Sequence, residues 1–269
     1  MKKKRIIPIL ILKDGNLVQS KLFNEYKKIG NPIAGVKRFS DWDADELIYL
    51  DINQGKKFGP NREDTAGQKF ESSIDALESI SSVANMPVTI GGGISSLLEI
   101  EARLKSGADK IALNTQALLN PKLINEAARE FGSQCIVISI DYIKNAGISY
   151  VYNRNIDSSI LLKVDEWTKR VQDLGAGEIL LNSVERDGMK CGYDLDFLGS
   201  ISESIDIPVI GCGGAGSWGD MAKLMTETSV DAVAAANIFH FQDQSIYHAR
   251  SELFRIGLPV RPPSLSGIR

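Results

Sequence analysis

Residues 5–15 read RIIPILILKDG, and residues 135–145 read CIVISIDYIKN. Each is an apolar, β-branched run that ends in a Lys-bearing turn. Nearly continuous apolar character suits a parallel strand whose outer face is covered by helices. This pair is the first of four. DELIYLDI (45–52) matches GEILLNSV (177–184), PVTIGGGI (87–94) matches PVIGCGGAG (208–216), and ADKIALNT (108–115) matches VDAVAAAN (230–237), in the same order. Between the runs lie helix-like stretches such as LLEIEARLKSG (97–107), PKLINEAAREFG (121–132) and VDEWTKRVQDLGAG (164–177), several closed by glycine. Four strand–helix units repeated once predict an α/β fold, a single (β/α)8 TIM barrel with a twofold half-barrel repeat, its halves about 1–132 and 133–269. A doubly wound open sheet is the competing architecture, but it needs no such internal symmetry.

The bulk of the chain agrees. Its 269 residues suit one such barrel, no Pro/Ser/Gly-rich linker divides it, and 43% hydrophobic residues fill a large core. A net charge of −3 argues against nonspecific nucleic-acid binding. No run reaches membrane length, and the basic MKKKR start has too brief an apolar sequel for a signal peptide. Cys135, Cys191 and Cys212 lack metal-ligand spacing, and their odd number suits a reducing compartment. The expectation is a cytoplasmic protein of one domain over 1–269, with no metal, no cofactor, no membrane and no nucleic acid.

In such a barrel, function is read at the C-terminal strand ends. Gly91-Gly92-Gly93 after the third strand and Gly213-Gly214 after the seventh would let backbone N–H groups approach an anion ahead of a helix N-terminus. Asn114-Thr115 and Ala236-Asn237 on the following strands would complete each cradle. Two cradles at symmetric positions suggest a ligand with a phosphate at each end; glycine's ordinary use in tight turns is the duller reading. Side chains two apart on a strand share a face. If Asn114 faces inward, so does Lys110, and Arg5, Glu46, Lys110 and Glu178 would then ring the barrel floor. A stabilising salt-bridge plug would explain that ring without any function.

Taken in order, RIIPILILKDG, LDI, GGGI, GADKIALNT, FGSQCIVISID, GAGEILLNSVERDG, GCGGAG and AAANIFHF resemble the motifs of the cyclase subunit of imidazole glycerol phosphate synthase, over essentially the whole chain. The resemblance implies a lyase-type barrel. It would receive ammonia from a separate glutaminase subunit in a one-to-one heterodimer and use it on a bis-phosphorylated ribonucleotide. It assigns the cradles to phosphates, Asp187 and Gly188 to the active-site rim, and Asp141 to acid–base catalysis. It makes Arg5, Glu46, Lys110 and Glu178 an ammonia gate, Thr89 a polar wall residue above it, and Asp109 a position facing the glutaminase.

Three departures stand out. The family's chemistry uses carboxylates at the ends of the first and fifth strands; this chain keeps Asp141 and has Ile11 in place of the other. It has Gln19, with Lys21 near, where the family has a lysine. The connection INQGKKFGPNREDTAGQKFES (52–72) is longer than usual. Isoleucine cannot transfer a proton, although Asp14 or Glu185 could substitute. Three readings follow. In one, the barrel passes ammonia to a non-histidine acceptor such as a sugar amidotransferase of surface-polysaccharide synthesis, a third protein. The second is an ordinary histidine-pathway cyclase. The third is a single-chain isomerase of the related half-barrel type, which would not need the charged floor. His240 is expected to pack or cap beside a cradle, His248 to lie on the surface, Cys212 to be a small packing residue, and ISYVYNRNIDSS (148–159) to form a hairpin near the mouth.

Overall fold

The computed structural model describes residues 3–53, 72–156, 158–240 and 245–264. Its strands, in chain order, are β1 (Arg5–Lys13), β2 (Asn16–Lys21), β3 (Glu25–Gly30), β4 (Leu47–Asp51), β5 (Val88–Gly91), β6 (Lys110–Leu113), β7 (Ile136–Asn145), β8 (Ile148–Asn153), β9 (Ser158–Lys163), β10 (Glu178–Ser183), β11 (Val209–Cys212) and β12 (Ala232–Ala235). Eight of them pair in parallel in the order β1-β4-β5-β6-β7-β10-β11-β12, and β12 returns to β1. The sheet is therefore a closed barrel, and an open doubly wound sheet is excluded. The other four strands form two antiparallel extensions: β2–β3 continues from β1, and β8–β9 from β7. The second is the hairpin expected from ISYVYNRNIDSS. The first was not expected.

Helices α1 (Pro32–Asp41), α2 (Ser73–Ser81), α3 (Leu97–Lys105), α4 (Thr115–Leu119), α5 (Lys122–Phe131), α6 (Val164–Asp173), α7 (Leu195–Ser204), α8 (Trp218–Glu227) and α9 (Ser245–Arg255) connect and surround the strands. Local chemistry sets their starts. Ser72, Ser96 and Ser217 each accept the backbone N–H three residues on, and Asp220 completes a capping box on α8. Asn31 caps α1, with Pro32 in its first turn. Glycines at positive φ, Gly107, Gly132 and Gly175, end α3, α5 and α6. None of the described helices is long and apolar enough to cross a membrane.

Strand parity divides the core in two. Leu10, Tyr49, Ile111 and Ile138 pack outward against helix residues such as Phe39, Leu77, Ile124 and Trp167. Ile7, Ile9, Ile48, Val137, Leu180, Ile210 and Ala234 fill the barrel interior. At its floor the four expected charges meet in alternation. Arg5 reaches Glu46 and Glu178 at 2.5 Å each, and Lys110 reaches the same two carboxylates at 3.0 and 2.9 Å. Thr89, buried on β5, sits in register with Ile48 and Lys110, next to this ring. A second set of carboxylates stitches the same end of the barrel. Asp45, Asp109 and Asp231 accept the strand N–H groups of Ile6, Val88 and Val209 at 2.8, 2.8 and 3.1 Å.

Arg250 of α9, fully buried, ties the last helix to this end. It donates to Asp43 Oδ2 at 3.2 Å, Asp43 O at 2.5 Å and Asp45 Oδ1 at 3.1 Å. Arg261 pairs with the same two carboxylates, at 3.4 and 2.5 Å, so losing Arg250 removes a buried cation and its hydrogen bonds without leaving either aspartate alone. Arg250→Met should therefore lower unfolding stability by about 1–3 kcal/mol in urea titration. An unchanged midpoint would show that Asp43 and Asp45 are held without it.

Candidate active site

At the C-terminal strand ends the barrel opens into a cavity of about 630 Å³. Every residue expected at the two cradles lines it: Gly92, Gly93, Asn114 and Thr115 on one side, and Gly213, Gly214, Ala236 and Asn237 on the other, with Asp187 and Gly188 at the rim. Gly92, at φ +111°, could carry no side chain, because a Cβ there would lie 1.9 Å from Asp51 O. Asp141 and Ile11 line the same cavity from β7 and β1, which are half the barrel apart. Ile11 also packs on the interior cluster, as its shared parity with Arg5 requires.

Asp141 is buried and accepts Asn114 Nδ2 at 2.8 Å, with a second hydrogen bond from Asn182, its register partner on β10. Burial pushes its carboxyl up to about 7, aided by nearby Asp187 and opposed by the two amides and Arg154. A group poised there can both accept and release a proton at neutral pH. Burial likewise raises Asp187 and Asp51 from the ordinary aspartate value. Of the two substitutes considered for the missing acid, Glu185 is exposed and accepts Lys144 N at 2.8 Å, whereas Asp14 is exposed at the cavity rim. Gln19 and Lys21 lie on β2, outside the lining.

The β2–β3 hairpin lies across the mouth. Its turn places Leu22 and Phe23 at φ +52° and +55°, each costing about 1–2 kcal/mol for a non-glycine residue. Surrounding contacts hold it there. Asp187 Oδ2 accepts Ser20 Oγ at 2.6 Å and Phe23 N at 3.2 Å, and Asp187 O accepts Leu22 N at 3.0 Å. Asn237 Nδ2 donates to Ser20 O at 2.7 Å. From the opposite hairpin Arg154 donates to Phe23 O and lies over the Phe23 and Tyr26 rings, 5.6 and 5.5 Å from their centroids. Lys13 stands 3.9 Å over Tyr26.

Reasoning from sequence missed several of these residues. Parity with Glu178 and Leu180 places Asn182 on the inward face, but it gave no sign of the hydrogen bond to Asp141. Arg154 and Ser20 lie in hairpins whose fold in space no local pattern announces. Beside the second cradle, His240 contacts Arg38 Nη2 at 3.1 Å; burial and that cation push it down to about 4, so it packs as a neutral ring. His248 is exposed. Cys212 is buried in the cavity wall with its thiol pushed up by burial, a packing role. Asp109 is exposed at the floor end, beside Lys110. Most of the long 52–72 connection, residues 54–71, lies outside the described residues.

The family model described as "Histidine biosynthesis protein" matches residues 5–245. A Streptococcus mutans protein named imidazole glycerol phosphate synthase subunit HisF is 39% identical over 264 residues, covering 97% of this chain and 100% of that protein. Proteins of the same name from Alkaliphilus metalliredigens and Bacillus cereus are 38% and 39% identical, covering 96% and 97% of this chain and 98% and 100% of theirs.

The position of Asp141 sets a pH signature. Its folded value, about 7, lies above the unfolded carboxylate value, so the folded state holds the proton more tightly. Its favourable contribution is full below about pH 4 and is lost as pH rises through 7. Asp141→Asn should therefore raise the melting temperature at pH 8, with the gain shrinking towards pH 5. A gain independent of pH would mean that Asp141 is not perturbed in the folded state.

Proposed function

The chain belongs to the histidine biosynthesis protein family, among HisF-type cyclase subunits of imidazole glycerol phosphate synthase, and we propose that within it the barrel serves a glutaminase but no longer runs the ordinary cyclisation. The carrying observation is Ile11. It lines the cavity half a barrel from Asp141, where the family's chemistry uses a second carboxylate. A ring closure that needs one acid and one base is left with Asp141. Asp187, the other buried carboxylate at the rim, is engaged by the β2–β3 hairpin.

Three further features support the conduit. The floor ring of Arg5, Glu46, Lys110 and Glu178 is complete, and its alternating charges are a polar entry for a small neutral amine. Thr89 is the polar wall residue above it. Asp109, exposed beside Lys110, is the contact offered to a glutaminase at this end, in a one-to-one heterodimer. Ammonia entering there would cross the barrel to Asp141, whose near-neutral carboxyl manages its proton. The acceptor is a molecule outside the histidine pathway, handled by a third, amidotransferase-type protein, such as one acting in surface-polysaccharide synthesis. The cavity itself takes a bis-phosphorylated ligand, one phosphate on Gly92, Gly93, Asn114 and Thr115 and the other on Gly213, Gly214, Ala236 and Asn237, with Gly188 at the rim. The protein acts in the cytoplasm.

Two measurements decide this. Co-expression with the glutaminase encoded nearest to it should give a one-to-one complex on size exclusion and faster glutamine hydrolysis; absence of both removes the conduit. Given free ammonia and the histidine-pathway bis-phosphate, the barrel should turn over at least about 10²-fold more slowly than an ordinary cyclase, with partial recovery in Ile11→Asp. Wild-type turnover at ordinary cyclase rates would make this an ordinary histidine-pathway enzyme.

A further inference from the structure

A second, smaller cavity of about 10 Å³ lies behind the Gly92 turn, in the layer between the barrel and helices α2 and α3. Leu12, Leu77 and Ile90 give it apolar walls, while Tyr49, Asp51 and Arg103 bring polar groups to it. Tyr49 and Asp51 stand two apart on β4 and so share its outward face. Asp51 also borders the main cavity, and its carbonyl is the group against which Gly92 packs. The small cavity therefore adjoins the mouth from the rear.

Its three polar groups do not satisfy one another directly. Tyr49 is 3% exposed, and its buried hydroxyl has no hydrogen-bond partner among the described residues. Arg103, 8% exposed, uses Nη1 on Glu99 O at 3.0 Å. Asp51 Oδ1 accepts Asn53 N at 3.0 Å, and the Asn53 side chain bonds the same carboxyl. Burial raises Asp51 and lowers Arg103, and each opposes that shift in the other by its charge. Yet among the described residues no hydrogen bond or ion pair joins these two. A buried hydroxyl without a partner is costly, and so is a buried cation that stops short of its carboxylate. A single water relieves all three, because it can accept two hydrogen bonds and donate to an anion, and a polar space of this size holds one.

We propose that this cavity is the site of one ordered water that accepts from Tyr49 Oη and the Arg103 guanidinium and donates to the Asp51 carboxylate. Tyr49 and Arg103 are then positioning residues. Through the water they fix the end of β4 on which the Gly92 turn rests, and they favour the ionised form of Asp51 inside an apolar layer. The charged and titratable groups around Asp51 are Arg103 from α3, Tyr49 from its own strand and Asp14 from the turn after β1; of these only Arg103 favours the carboxylate. The inference does not depend on which ligand the main cavity takes.

Three measurements on the full chain test it. A crystal structure of the wild type at near-atomic resolution should show one water within hydrogen-bond reach of all three side chains. Tyr49→Phe should lower the melting temperature by about 2 °C, because the water loses a donor. An orphaned hydroxyl would give the opposite sign, since its removal relieves a cost. Arg103→Met should raise the midpoint of the Asp51 carboxyl, followed by carbon NMR, by about one pH unit, and Arg103→Lys should restore most of the shift. A side chain that merely packs would leave that titration where it is. A dry cavity with Arg103 in direct contact with Asp51 would overturn the proposal. So would a Tyr49→Phe variant at least as stable as the wild type, or an Asp51 midpoint unmoved by Arg103→Met.

Discussion

Two cations and two carboxylates sit at the barrel floor, and none can be buried there without the others. Arg5 bridges Glu46 and Glu178, and Lys110 bridges the same pair from the other side. Arg5, Lys110 and Glu178 stand on β1, β6 and β10 and Glu46 immediately precedes β4, so the ring fixes which face of these four strands points inward. Everything above follows from that parity. Counting upward in twos from Arg5 leads to Ile7, Ile9 and Ile11; from Lys110 to Ala112 and Asn114; from Glu178 to Leu180 and Asn182. A one-residue slip of any of these strands would turn its charge out of the ring and its cavity residue into the helical layer. The chemistry at the mouth is thus registered by the electrostatics of the floor.

That dependence explains what could be read from the sequence. Closure, the eight strands and both cradles rest on strand-length patterns with a period of two, which local sequence carries openly. Asp141 facing Ile11 across the cavity follows from the same counting. The β2–β3 hairpin is of another kind. NLVQSK and EYKKIG lack a clear apolar alternation, since one is buried under neighbours supplied by distant loops and the other is an exposed edge. Its position depends on Asp187, Asn237 and Arg154, which stand far along the chain. The same is true of Asn237 itself. The repeat equated it with Thr115, and only its partner Ser20 O shows that its amide is already used.

The cavity joins a closed barrel, whose two glycine turns follow matching sequence motifs, to an asymmetric lining. Matched glycines give both ends similar backbone turns, whereas the side chains around them have diverged: Ile11 against Asp141, and Thr115 against Asn237. Backbone geometry is costly to alter, because Gly92 and Gly214 press on neighbouring carbonyls. Side chains at the strand tips are free to change ligand chemistry without disturbing the barrel.

Asp187 holds the hairpin turn through both its side chain and its carbonyl while lending charge to Asp141. A substitution there is felt twice, once by the strained turn and once by the proton on the neighbouring acid. Positions 20, 23, 154, 187 and 237 therefore form an epistatic group: a change tolerated in one genetic background is harmful in another, depending on the other four. Lineages of this barrel should acquire new ligands by concerted replacement within that group, and chimaeras that exchange the first hairpin alone inherit a mismatch that the rest of the barrel cannot absorb.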